Sequence, residues 1–320
     1  MGKMVFSLAM IATGLIIGRL LYWLEKKNKK HTDQSLPKYL VIVRNIVLLG
    51  INPLIVMASF WAVSLNDIRL LSLPLLGFFA MVLGGGVGLA ASRLLKHDKQ
   101  KTGAMFVSAS FTNLGTFGGL ICFALWGEKS FAFVALYKLF EELYYYLFGY
   151  PIAKSFGIKD NQAKNKLKSI LTDPYILVYF FSILIGCILN VSGIKRPSVL
   201  GDINSTLIPI TSVLLVSTVG YSMKFGKLRI YLKECFVVSA VKFLITPAVI
   251  ILAAVIIGLP TLENSLVFQV VIVLSFMPTA FNALIPPQIY GLDKDLANSA
   301  WLFTTGMQVV IVPILSLVIL

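Results

Sequence analysis

The stretch VIVLSFMPTAFNALIPPQIYG, Val271 to Gly291, is apolar enough for a membrane helix, yet it carries Pro278, Pro286 and Pro287 together with polar Thr279, Asn282 and Gln288. An internal proline removes a backbone donor and clashes with the carbonyl four residues earlier, so a helix through this stretch is expected to break or kink. Backbone freed in this way is tolerated at membrane depth only where protein or a water-filled cavity satisfies it, and such breaks are where membrane carriers hold their cargo.

The rest of the chain fits a membrane setting. Of 320 residues, 58% are hydrophobic and only 13% charged, with a mean hydropathy of +0.86. Soluble domains carry about a quarter charged residues, so the composition is that of an all-α polytopic membrane protein. A spanning helix needs about 20 mostly apolar residues, and ten such segments can be placed: 4–24, 37–64, 70–95, 103–126, 130–156, 174–192, 203–223, 232–257, 264–290 and 294–320. Cys122, Cys187 and Cys235 fall within or at the ends of apolar segments without a CxxC pair, which suggests core residues rather than a disulfide framework or a metal site. The apolar run after Lys3 continues to Leu24 without a small-residue cleavage site and reads as the first span.

The net charge of +14 is topological and does not point to nucleic acid. Lys and Arg crowd the odd-numbered loops, as at Lys26 to Lys30, Arg93 to Lys101, Lys154 to Lys168 and Lys224 to Lys233, whereas the even-numbered loops and termini hold Lys3, Arg69, Lys129, Lys195 and Arg196. By the positive-inside rule the odd loops are cytoplasmic and both termini lie on the other face. Five segments per half then make any repeat between halves an inverted one. Residues 1–156 form the first half, 157–173 a basic linker and 174–320 the second half. A faint repeat agrees: Ser110-Phe111 leads to Trp126-Gly127, as Ser275-Phe276 leads to Tyr290-Gly291.

In the fourth segment, Ser108 to Gly119 (SASFTNLGTFGG) gathers hydroxyls, one amide and three glycines inside an apolar run. Glycine weakens a helix and exposes its backbone, so this segment is expected to unwind near 113–119. Close packing through small residues is the alternative. Asn113 and Asn282 each offer a donor and an acceptor to a bound molecule, and the positive ends of half-helices can face an anion.

These residues carry a family resemblance. FTNLGTFGG at 111–119 and MPTAFNALIPPQIYGLDKDLANSAWLFTTGMQVVIVPIL at 277–315 resemble the fourth segment and C-terminal signature of the auxin efflux carrier family, within the bile-acid/auxin carrier-like superfamily. Asn52-Pro53 and Leu207-Ile208-Pro209 also match. The resemblance implies ten transmembrane helices in two inverted five-helix repeats, with the fourth and ninth broken and crossing. It also implies carriage of an organic anion such as malate, malonate or auxin. The substrate would be held around Thr112, Asn113, Gly115, Pro278, Thr279, Asn282 and Pro286, with the two asparagines matching the family's substrate-site asparagines. One departure is that Gly118-Gly119-Leu120 stands where the family often carries a proline.

Ionisable residues at mid-membrane depth are costly and are functional candidates by default. Lys138, Glu141 and Glu142 in the fifth segment can form an intrahelical brace, or a glutamate can exchange protons and couple flux to a gradient. Lys242 has no acidic residue within a turn on its own helix and is expected to find Glu141, Glu142 or the substrate anion. Arg19 and Arg44 lie nearer cytoplasmic ends, where they can snorkel. The Gly84-Gly85-Gly86-Val87-Gly88 run lacks the GK[ST] ending of a phosphate loop and suits close helix packing. Tyr144 to Tyr146 and Tyr150 read as an interfacial aromatic belt.

Catalysis is disfavoured. His31 and His97, the only histidines, lie in charged loops, which excludes a His-based zinc site or triad within the membrane. Adjacent Glu141 and Glu142 point about 100° apart on a helix, so they do not converge as a carboxylate pair. The expected function is a secondary carrier of a small organic anion in the cell membrane, without a cofactor, driven by a proton or sodium gradient or passive. A sodium-coupled bile-acid-type symporter and a non-transporting membrane receptor are the alternatives. The partners are the anion and the lipid bilayer, and the residues admit a homodimer.

Overall fold

The computed structural model describes residues 2–27, 37–63, 67–158, 174–223 and 226–319. Most of the basic linker expected at 157–173 lies outside these residues. Among them the regular structure is helical, apart from one isolated antiparallel bridge between Thr112 and Thr279. The helices are α1 Gly2–Lys27, α2 Lys38–Ala62, α3 Ile68–Leu94, α4 Lys99–Ser110, α5 Leu114–Trp126, α6 Glu128–Tyr137 and α7 at 141–155. They continue with α8 Pro174–Val191, α9 Val199–Tyr221, α10 Leu228–Ile257, α11 Leu266–Ser275, α12 Ile285–Tyr290 and α13 Lys294–Ile319. By length and composition, α2, α3, α9, α10 and α13 can each cross a membrane. Leu244, Leu252 and Ile256 of α10 are exposed, as lipid-facing side chains are. The chain is an integral membrane protein built of apolar helices.

Four of these helices contain a wide π-turn, and three of the four turns end two residues before a proline. Val47–Ile51 precedes Pro53 in α2, Tyr145–Gly149 precedes Pro151 in α7, and Val241–Ile245 precedes Pro247 in α10. A proline ring collides with the carbonyl four residues back. Opening the turn by one residue moves that carbonyl aside and lets the helix continue. These three π-turns are therefore written in the sequence by their prolines, whereas the fourth, Leu114–Gly118, has none two residues after it.

The chain divides into two compact units. The first comprises residues 1–66, 115–135 and 172–223. Here α1 lies against α9 on glycines: a Cβ on Gly18 would stand 2.0 Å from the Ser217 carbonyl oxygen, and one on Gly220 would stand 2.3 Å from that of Leu15. Asn190 of α8 donates to the carbonyls of Phe60 and Val63 at 3.0 and 2.6 Å, tying off the end of α2. Asn204 and Arg196 both donate to Glu128 at the start of α6.

The second unit comprises residues 67–114, 136–171 and 224–320. The glycine run of α3 serves close packing here. A Cβ on Gly84 would meet the Ala109 carbonyl oxygen at 2.4 Å, and one on Gly88 would meet the Ala109 side chain at 2.7 Å. The core of this unit gathers Met81, Phe106, Phe111, Tyr144, Tyr145 and Ala283. The aromatic-belt expectation is corrected for Tyr144 and Tyr145, which are buried around Phe111; the Phe111 and Tyr145 ring centroids are 4.2 Å apart. Gly149 makes room for this packing, since a Cβ there would stand 2.7 Å from the Phe111 ring.

Glycine at a packed site and at an open one should respond oppositely to a methyl group. Gly18→Ala and Gly220→Ala should each cost about 1–3 kcal/mol because backbone must move. Gly86 is exposed with nothing within 4 Å of its Cβ position, so Gly86→Ala should be neutral or stabilise by up to about 1 kcal/mol. Thermal unfolding of the three purified variants in detergent reads the difference.

Candidate functional site

Two helices of the second unit stop short and give way to extended backbone. Helix α4 ends at Ser110, and Phe111 to Asn113 run extended before the chain turns helical again at Leu114. Helix α11 ends at Ser275, and Met277 to Ala280 run non-helical before a 3-10 turn at Phe281–Leu284 and α12. The two extended pieces pair with each other. Asn113 N–H donates to the Pro278 carbonyl at 2.9 Å, and Ala280 N–H donates to the Phe111 carbonyl at 3.0 Å, on either side of the Thr112–Thr279 bridge. Each unwound piece thereby satisfies donors and acceptors that a helix would have satisfied internally.

The segments share further anatomy. Both leave the helix at a Ser-Phe pair, and both close at a glycine with positive φ, Gly127 at 77° and Gly291 at 74°. A left-handed residue ends a helix at little cost only when it lacks a Cβ. The prolines divide their work. Pro278 lies in the extended piece, where its missing N–H costs nothing, while Pro286 and Pro287 sit in the first turn of α12, where the N–H groups would have no helical partner.

Side chains from other helices complete the crossing. Lys242, on the π-turn of α10 and only 2% exposed, places its Nζ 2.6 Å from Thr112 Oγ1, 3.0 Å from the Phe111 carbonyl and 3.3 Å from the Ser110 carbonyl. Gln308 of α13 donates to the Phe276 carbonyl at 2.7 Å. Thr304 Oγ1 accepts from Thr279 N–H at 3.3 Å, and Thr279 Oγ1 donates to the Ser108 carbonyl at 2.7 Å. Among the described residues, the buried oxygens Ser108 Oγ, Thr305 Oγ1 and Gln308 Oε1 have no hydrogen-bond partner. They add unused polar capacity to an otherwise apolar core.

The sequence-nominated residues separate into groups. Thr112, Asn113, Pro278 and Thr279 meet at the crossing and are buried; Asn282 follows on the 3-10 turn, half-buried, and Pro286 is buried four residues on. Gly115 belongs to the first unit. The expected unwinding near 113–119 is found earlier, at 111–113, and Leu114–Gly118 forms a π-turn instead. Lys138 and Glu141 pair at 3.3 Å, with Lys138 in a turn that interrupts the fifth segment between α6 and α7. Glu141 also accepts from Tyr145 OH at 2.9 Å, and Glu142 lies beside it, half-buried. Lys242 takes its partners from the crossing itself rather than from Glu141 or Glu142. Arg19 donates to the Met223 carbonyl at 3.0 Å near the end of its helix.

Gln308, Thr304 and Ser108 were not singled out from the sequence. Their signal was present for α13, whose otherwise apolar 301–315 run carries Thr304, Thr305 and Gln308 at helical spacing. Ser108 stood in the polar stretch of the fourth segment without a feature to separate it from Ser110.

Comparison with known proteins finds transporters among the chain's relatives. A family model described as "membrane transport protein" matches residues 43–316. An uncharacterized transporter of Methanothermobacter thermautotrophicus is 23% identical over 271 residues, covering 83% of this chain and 85% of the relative. A second uncharacterized transporter, from Methanocaldococcus jannaschii, is 25% identical over 252 residues, covering 77% and 78%.

The hydroxyl of Thr279 links the crossing to α4 through one buried hydrogen bond. Thr279→Val keeps the shape and leaves the Ser108 carbonyl without that donor, which should cost about 1–3 kcal/mol. Amide exchange at Asn113 and Ala280 should rise with it, and unchanged protection at both would show that the side chain does not hold the crossing.

Proposed function

We infer that this chain, which belongs to the auxin efflux carrier family of membrane transport proteins, is a secondary carrier of a small organic anion. The observation that carries the reading is the crossing of two unwound segments inside apolar helices, with Thr112, Asn113, Thr279 and Asn282 gathered on and beside it. Irregular backbone within apolar helices is the recurring form of a carrier's binding site, because it presents peptide dipoles and side-chain amides where lipid offers nothing polar. Asn113 and Asn282 supply amide donors for a carboxylate, and the starts of the resumed helical pieces add positive dipole ends. The unpartnered oxygens of Ser108, Thr305 and Gln308 suit the hydroxyl groups of a hydroxy-acid substrate.

In this reading the fourth and ninth of ten segments are the crossing helices of two inverted five-helix repeats, and the cationic odd loops place both termini outside the cytoplasm in the cell membrane. Alternating access at the crossing moves the anion, with a proton or sodium gradient or the anion's own gradient as the driving force. The Lys138–Glu141 pair and the Tyr145 bond to the same carboxylate favour a brace over a proton relay for that glutamate.

Uptake of malate, malonate and indole-3-acetate into proteoliposomes, with proton or sodium gradients imposed in turn, tests the reading. Saturable uptake of at least one carboxylate is expected. Asn113→Ala and Asn282→Ala should each weaken substrate binding about tenfold or more, as loss of a buried hydrogen bond to a charged group does. Uptake that requires sodium would move the chain to the bile-acid-type alternative. Binding without flux would make it a receptor, and unaltered affinity in both asparagine variants would remove the crossing as the site.

A further inference from the structure

The ammonium of Lys242 has three N–H donors, and three oxygens lie within 3.3 Å of it: Thr112 Oγ1, the Phe111 carbonyl and the Ser110 carbonyl. One is the carbonyl of Ser110, the last residue of α4, where a helix leaves its final carbonyls without helical partners and carries partial negative charge, and another is the carbonyl of Phe111, which also accepts from Ala280 N–H. The third belongs to the residue that forms the bridge to Thr279. Carbonyl and hydroxyl oxygens converging at 2.6 to 3.3 Å are also the surroundings in which a small monovalent cation exchanges its hydration shell for protein.

We propose that Lys242 is a tethered cation: its ammonium fills a seat for a small monovalent cation at the end of α4, and so holds the crossing without a bound metal ion. The π-turn at Val241–Ile245 gives the side chain its aim, and the burial of the lysine at 2% exposure excludes exchange with solvent ions. All three donors are committed to the chain, so in this arrangement the ammonium cannot also bind a substrate carboxylate. Lys242 is therefore a positioning residue, and recognition of an anion falls to other groups. The inference concerns the stability of the crossing and holds whatever the chain carries.

The test is thermal unfolding of the full-length protein in detergent, in chloride salts of choline, sodium, potassium, ammonium and methylammonium at equal ionic strength. The wild type should melt at one temperature in all five. Lys242→Ala should melt about 5–10 °C lower in choline, as expected when one partner of a buried charged cluster is removed. Ammonium or methylammonium, which can enter the vacated seat, should restore at least half of that loss, whereas choline is too large. Lys242→Met, whose thioether chain occupies the space without charge, should be lowered without rescue. A Lys242→Ala protein that melts alike in ammonium and choline, or one as stable as the wild type, overturns the proposal, and so does a wild type stabilised selectively by sodium. If Lys242→Ala yields no folded protein, Thr112→Val decides: it keeps the lysine, removes its shortest contact and should lower the melting temperature by about 3 °C. An unshifted Thr112→Val also overturns the proposal.

Discussion

Peptide groups that leave a helix inside an apolar protein must find partners there, because lipid supplies none and each unmet group costs several kcal/mol. The crossing of Phe111–Asn113 with Met277–Ala280 is the answer to that constraint in this chain. Neither unwound piece is self-sufficient. The bonds between Asn113 and Pro278 and between Ala280 and Phe111 join the two pieces, and Lys242, Gln308, Thr279 and Thr304 add contacts to them and to the flanking helix ends. Four helices of the second unit are thus required to support a crossing only a few residues long.

The aromatic core beside the crossing serves that rigidity. Phe111 is both an acceptor through its carbonyl and the ring around which Tyr145 and Tyr150 pack. Ser110 is tied to Tyr144 at 2.6 Å and to the Met81 carbonyl at 2.9 Å. The polar contacts of Ser110 and the apolar contacts of Phe111 therefore locate the end of α4 from two sides. Under the proposed function, a substrate would meet groups whose positions are already set, which lowers the ordering cost of binding.

How far the sequence could be read depended on whether a feature was caused locally. The break in 271–291 was legible because three prolines stand in it, although only Pro278 lies in the extended piece; Pro286 and Pro287 occupy a helix start, where proline is at home. The break in the fourth segment was read at 113–119, around its glycines, and lies at 111–113, sharing only Asn113 with that reading. Its cause is tertiary, since Phe111 and Asn113 leave the helix to meet Ala280 and Pro278, and no residue type records that. Lys242 was recognised as a buried charge, but a carboxylate was sought as its partner. The actual acceptors include backbone carbonyls, which every residue carries and which leave no mark in the sequence. Tyr144 and Tyr145 were read by their place near a helix end, and their burial follows from a ring contributed by another helix.

The π-turn at Val241–Ile245 has a consequence for how this helix can change over time. A π-turn is an α-helix holding one additional residue, and successive residues on a helix are turned by about 100°. Losing that residue would regularise the backbone and swing every side chain on one side of it round the axis relative to the other, Lys242 with it or the lipid-facing Leu244 and Leu252 after it. The phase of α10 is thus locked between two requirements, a cation aimed inward and an oily face aimed outward. Substitutions along this helix can drift freely by comparison with insertions and deletions, which here change the meaning of every position that follows.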